Sequence, residues 1–287
     1  MATFEATQLS TGHQLLECPR WHGGSLWLSD FFSKEVMTFD VSGNRTVVTR
    51  VEGMPAGLGF LPDGTPLVVS QDENRIYRIL PDGGLELHAD YSHLATGDGN
   101  DMLVDARGNA YVGNFGFRPG LEEPRTAVVA LVTPDGSVRV AASDLWFPNG
   151  TVLMPDGKSL LIAESFGHRI TAFDIGTDGV LVNRRVWAQL PDTHAPDGIA
   201  LDTDGGCWFG NPMSDTHSGF FRVEEGGEIT DEVPTPGTWA IACAFGGNDL
   251  STFFMTCANT TLEDHAQHKS SSYLATAYVK RTGVSSA

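Results

Sequence analysis

The chain predicts an all-β fold: a six-bladed β-propeller of four-stranded antiparallel blades around a central channel, with residues 1–287 as a single domain. Three observations carry that prediction. A short β-rich run beside a Gly-containing turn recurs six times. The runs start about 40–50 residues apart, the length of one blade. Between them no helical periodicity lasts more than two turns, whereas a doubly wound α/β fold needs a helix after each strand.

The six runs occupy residues 25–30, 65–70, 109–114, 158–164, 206–211 and 251–256. Each would be the second strand of its blade. Residues 35–40, 75–80 and 169–174 alternate in character a short distance further on and read as third strands. Turns such as Pro81-Asp-Gly83 and Pro134-Asp-Gly136 then lead to an outer strand. An open ring would leave two sheet edges exposed, so residues 2–10 and 273–279 are expected to pair in one composite blade.

Composition narrows the functional classes. Acidic residues outnumber basic ones 36 to 18, a formal charge of −18, which disfavours nucleic acid and anionic membranes as partners. The four cysteines show no CxxC pair and read as reduced, buried thiols. The N-terminus lacks a basic stretch followed by an apolar one, and no apolar run approaches the ~18 residues of a membrane span. A soluble, cytoplasmic protein is the expectation, with the oligomeric state left open.

Propeller chemistry sits where the innermost strands begin. Counting back eight residues from Gly108, Gly157 and Gly205 reaches Asn100, Asn149 and Asp197. In blade one, whose turn is shorter, the same phase reaches Glu17; blades two and six give Ala56 and Trp239. Four of six equivalent positions thus carry oxygen-bearing side chains, a donor set for a hard divalent cation. Alternatives exist for each. Asn149 in Pro-Asn-Gly suits a turn, Glu17 suits a solvated loop, and Asn100-Asp101 can bond its own loop. Asp197 lies in one of five Pro-Asp-Gly triplets, but its blade already has a turn at Thr203-Asp-Gly205. His168, His194 and His217 read as loop or core histidines, and no Gly-x-Ser-x-Gly is present.

These residues resemble the senescence-marker-protein/regucalcin/gluconolactonase superfamily. The resemblance runs through Glu17-x-Pro-x-Trp21, Asn100-Asp101, Pro148-Asn-Gly150, Ala163-Glu164, residues 168–174, Pro196-Asp-Gly198 and residues 243–250. It implies a six-bladed propeller with Glu17, Asn149 and Asp197 as metal ligands, Asn100 orienting the substrate and Asp197 as general base. The implied cofactor is one divalent ion, calcium first, with zinc, manganese or iron(II) as alternatives. Sugar-lactonase members carry arginine where this chain has Asp98, and often an acidic group where it has Arg118. An exchanged pair of substrate-binding charges is therefore expected. Trp21, Phe115, Phe117, Trp146, Phe147 and Trp239 are expected near the same mouth. Together these point to metal-dependent hydrolysis of a small lactone less polar than a sugar lactone. The alternatives are a phosphotriesterase-like hydrolase and a non-catalytic calcium-binding or interaction propeller.

Overall fold

The computed structural model describes residues 1–214 and 216–284, and its strands form six sheets in the expected order, antiparallel except for one added edge strand. Blade one runs Leu16–His22, Ser25–Asp30, Glu35–Phe39, Arg45–Arg50, from channel to rim. Blades two, three and four begin with Pro55–Phe60, Gly99–Val104 and Pro148–Leu153 and repeat that meander. Blade five begins with the short strand Ile199–Leu201 and blade six with Trp239–Gly246. The turn glycines used for phasing hold the left-handed backbone that such tight turns need: φ is +85° at Gly64 and +82° at Gly108.

Closure departs from expectation in one respect. Thr7–His13 does pair antiparallel with the C-terminal strand Ser271–Ala277 and completes blade six. Ala2–Thr3, however, pairs in parallel with Ile229–Pro234 and adds a fifth strand to blade five. Phe4 supplies the reason. Its backbone N–H donates to the Glu232 carbonyl at 2.9 Å, and its ring packs 6.5 Å from Trp208 in the apolar layer between blades five and six. One N-terminal segment therefore staples two blades.

The core lies between blades rather than at a centre. Leu28 and Met37 of blade one pack with Phe254 and Leu274 of blade six, while Val36 faces Leu58 and Val68 of blade two. All four cysteines are buried and free. Among the described residues helix is confined to a 3₁₀ turn, Ser165–Gly167, and one α-helical turn, Leu262–Ala266. Among the described residues no helix is long and apolar enough to cross a membrane.

Candidate functional site

The inner strands share a local distortion that aims side chains into the channel mouth. Register slips between Glu17 and Arg20 in blade one, between Pro55 and Leu58 in blade two, and likewise at Gly99/Met102 and Pro148/Thr151. Such β-bulges re-aim one side chain per strand. Neighbouring inner strands also approach closely there. A Cβ on Gly150 would sit 2.5 Å from the Ile199 nitrogen, and one on Gly198 would sit 2.2 Å from the Ala242 Cβ. The glycines of Pro-Asn-Gly and Pro-Asp-Gly are thus required by strand packing, since neither has a positive φ.

Glu17, Asn100, Asn149 and Asp197 all face one cavity of about 380 Å³ at this mouth, and so do Asp98 and Arg118. Asn149 donates from Nδ2 to Ser165 Oγ at 3.2 Å, and Ser165 donates onward to the Pro196 carbonyl at 2.7 Å. Asn100 donates to the Pro148 carbonyl at 3.1 Å. With both amide nitrogens committed to the protein, each amide has its oxygen left for a ligand. Glu17 accepts from the Cys18 N–H at 3.2 Å.

The two carboxylates repel protons poorly in this setting. Burial pushes the Glu17 carboxyl well above its ordinary value, and the nearby Asp197 adds to the shift. Burial likewise raises Asp197, against a hydrogen bond from Asn149 that favours its charged form. The nearest guanidinium is committed elsewhere. Arg20 donates to Asp101 Oδ1 at 2.5 Å and to the Met102 carbonyl at 2.8 Å, below the mouth. Among the described residues, neither Glu17 nor Asp197 has an arginine or lysine partner.

The cavity wall sorts the aromatic residues. Phe115, Phe147 and Trp239 line it. Phe117 is buried behind them, edge-on to Phe147 at 5.8 Å between centroids. Trp21 stacks on Phe254 at 5.8 Å and borders a separate, smaller cavity of about 60 Å³, and Trp146 is not part of the cavity wall. Asp98 and Arg118 share the cavity, but Arg118 pairs with Glu122, at 2.8 Å, rather than with Asp98. His168, His194 and His217 lie outside the wall; His194 is packed against Phe221 at 4.7 Å.

Two groups of lining residues escaped the phase count. The residue immediately after each second strand is one: Phe31, Gln71, Phe115, Ser165 and Pro212 all line the cavity, and only Thr260 of blade six does not. Counting forward from the repeat would have found them. The other group is Leu262, His265, Ala266 and His268, on or beside the α-helical turn at the mouth. Its sequence signal is a capping box: Thr261 Oγ1 accepts from the Asp264 N–H at 3.1 Å.

Residues 15–259 match the family model described as SMP-30/Gluconolactonase/LRE-like region. The chain belongs to that family. Within or near the SMP-30/gluconolactonase/LRE-like group, regucalcin of Gallus gallus is 28% identical over 171 residues, covering 57% of this chain and 56% of that protein. Diisopropyl-fluorophosphatase of Loligo vulgaris is 26% identical over 198 residues, covering 62% and 63%. A solved gluconolactonase from Xanthomonas campestris superposes with TM-score 0.76 at 26% identity, covering 95% of this chain and 89% of that one. The chain spans little more than half the length of the curated relatives it matches.

The donor set fits a hard divalent cation. Among the described residues no three His, Cys, Asp or Glu side chains converge, so a thiolate or imidazole zinc set is not present. What converges is two carboxylates and two amides, all oxygen donors. The uncompensated pair Glu17 and Asp197 is the positive indication. Two carboxyls whose charged forms burial disfavours become stable as carboxylates when a cation sits between them.

Proposed function

We propose that the channel mouth hydrolyses a small lactone with one divalent cation, calcium in the first instance, held by Glu17, Asn149 and Asp197. The observation that carries this reading is a pair of like-charged, desolvated carboxylates, without a basic partner, sharing a ligand-sized cavity with two oriented amides. When bound, a divalent cation supplies a Lewis acid for the ester carbonyl oxygen. Asp197, charged beside the cation, takes the proton from the attacking water. Asn100, fixed through Pro148, hydrogen-bonds the substrate and sets its approach. Asp98 and Arg118 face the same substrate from blade three. Phe115, Phe147 and Trp239 favour a lactone less polar than gluconolactone, since each Å² of apolar surface they cover contributes roughly 25 cal/mol.

The test is turnover of a lactone panel after chelation and readdition of Ca²⁺, Zn²⁺, Mn²⁺ or Fe²⁺, with calorimetric ion titration of Glu17→Gln, Asn149→Ala and Asp197→Asn. Ion-dependent turnover with weakened ion binding in all three variants is expected. Wild-type ion affinity in all three would sink the ligand assignment. An ion-stabilised fold without ester turnover would favour the binding propeller instead. The similarity to the squid fluorophosphatase supports a second reading, phosphotriester hydrolysis at the same residues. A fluorophosphonate substrate run beside the lactones separates the two.

A further inference from the structure

The cavity's polar side chains are distributed unevenly around the ring. Set aside the four phased residues and Ser165, which is spent on Asn149 and Pro196. The rest are Gln71, Asp98 and Arg118, all from blades two and three, and two histidines. Those histidines present ring faces. His268 stacks on Phe32 at 4.9 Å, and His265 packs on Trp239 at 5.6 Å. Together with Phe31, Met213 and Leu262 they form an aromatic and aliphatic wall from blades five, six and one. In a six-bladed ring that wall stands across the channel from blades two and three, which also bring Met54, Phe115, Pro119 and Leu121 to the cavity but hold its remaining polar side chains.

Gln71 is the unexplained member of the polar wall. It follows the strand Pro66–Ser70 and is 3% exposed. Its backbone is pinned: its N–H donates to the Met54 carbonyl at 2.8 Å, and its own carbonyl accepts from Gly99 at 3.0 Å, between Asp98 and Asn100. Its side-chain Nε2 is buried without a hydrogen-bond partner, as are Asn74 Oδ1 and Tyr91 Oη behind it. The latter two crowd Gly99, where a Cβ would lie 2.2 Å from Tyr91 Oη and 3.3 Å from Asn74 Oδ1. Blade two offers only Ala56 at the phased position, so Gln71 is its polar contribution to the cavity. Nε2 has almost no accessible surface, so the amide turns toward the cavity before a ligand oxygen can meet it, and that turn removes the cost of an unpaired buried donor.

We propose that Gln71 is a specificity-determining residue for a two-sided lactone. It donates to a ring hydroxyl whose own proton is accepted by Asp98, while the hydrocarbon edge of the ring lies against Trp239 and Phe32. This rests on the lactone-hydrolase reading and narrows it: the substrate carries a hydroxyl on one edge and an alkyl or aryl substituent on the other.

The test uses two alkyl δ-lactones that differ only in one ring hydroxyl. Wild type should favour the hydroxylated lactone in kcat/KM by about tenfold or more. Gln71→Leu and Gln71→Met should bring that ratio close to one. Both variants should melt no lower than wild type, since they remove an unpaired buried donor. An unchanged ratio in a folded variant, or a wild-type preference for the plain lactone, overturns the role of Gln71. The matching cyclic ethers, which cannot be hydrolysed, are titrated in parallel by calorimetry. Tighter wild-type binding of the hydroxylated ether, lost in the variants, supports Gln71 even if no lactone is turned over and the hydrolase reading falls. Equal binding of both ethers in all proteins overturns it regardless of turnover.

Discussion

Two of the regions in which this propeller buries carboxylates treat them in opposite ways. In blade four, Glu164 is fully buried and fully partnered. It accepts from Arg169 Nε at 2.9 Å, Arg184 Nη2 at 3.0 Å, Thr171 Oγ1 at 2.5 Å and the Trp146 N–H at 2.8 Å. Burial pushes its carboxyl up, but these hydrogen bonds and charges outweigh burial and hold it below the ordinary value. At the channel mouth Glu17 and Asp197 are desolvated as well, yet Arg20, the guanidinium near Glu17, is bonded to Asp101. Their carboxyls move up instead. At Glu164 the chain supplies guanidinium groups; at the cavity, among the described residues, Glu17 and Asp197 have none paired to them.

The sharpest way to break this contrast is substitution on both sides. Asp197→Asn should lower kcat/KM by roughly 10²–10⁴, the range for losing a general base. Measured in chelator, the same variant should melt at or above wild type, because a carboxyl whose charged form burial disfavours is replaced by a neutral amide of the same shape. A clear drop in melting temperature in chelator would show that Asp197 braces the fold after all.

Glu164→Gln should do the reverse. It strands Arg169 and Arg184 beside a neutral amide, and breaking a buried pair costs about 3–5 kcal/mol. Denaturant unfolding checks this, with turnover per folded molecule expected to remain near wild type. The pH dependence follows in sign. The folded-state pKa lies below the ordinary 4.5, so the contribution of Glu164 is complete above that value and is lost as pH falls through the folded pKa. The stability gap between wild type and Glu164→Gln should therefore close on acidification below about pH 4. A gap that stays constant would remove the charge from the explanation.

The same contrast shows what was legible beforehand. The phased positions could be read because blade length fixes where each inner strand starts, and a single period carries Glu17, Asn100, Asn149 and Asp197 to one mouth. Directions of the aromatic side chains could not, because a bulge breaks the two-residue alternation just where they sit. Trp21, four residues beyond Glu17, ends on the blade-six interface for that reason. Gln71 was hidden because it belongs to a second period, the residue after each second strand, whose members share position and differ in chemistry. The split of the N-terminus between two blades depends on a contact between Phe4 and Trp208 that no local pattern announces.

The smallest effect concerns Asp98 and Arg118, and it tests how far charge exchange can be inferred from position. Twenty residues separate them, whereas Glu122 lies one helical turn beyond Arg118 and satisfies both its guanidinium and its backbone N–H. A partner reached within one short loop costs less ordering than one twenty residues away in the chain. Arg118 is also 63% exposed at its side chain, where water weakens any longer-range attraction to Asp98. What remains is a field: Arg118 draws the Asp98 carboxyl down while burial and Asp72 push it up more strongly. Charge reversal at each position, singly and together, should accordingly give kcat/KM losses that multiply to within about twofold, with little mutual rescue. Recovery of more than about fivefold in the double variant would mean that ligand binding pulls Arg118 away from Glu122 and onto Asp98. The loop of residues 115–125 would then belong to the catalytic cycle, and the polar wall would gain a moving part opposite its rigid aromatic one.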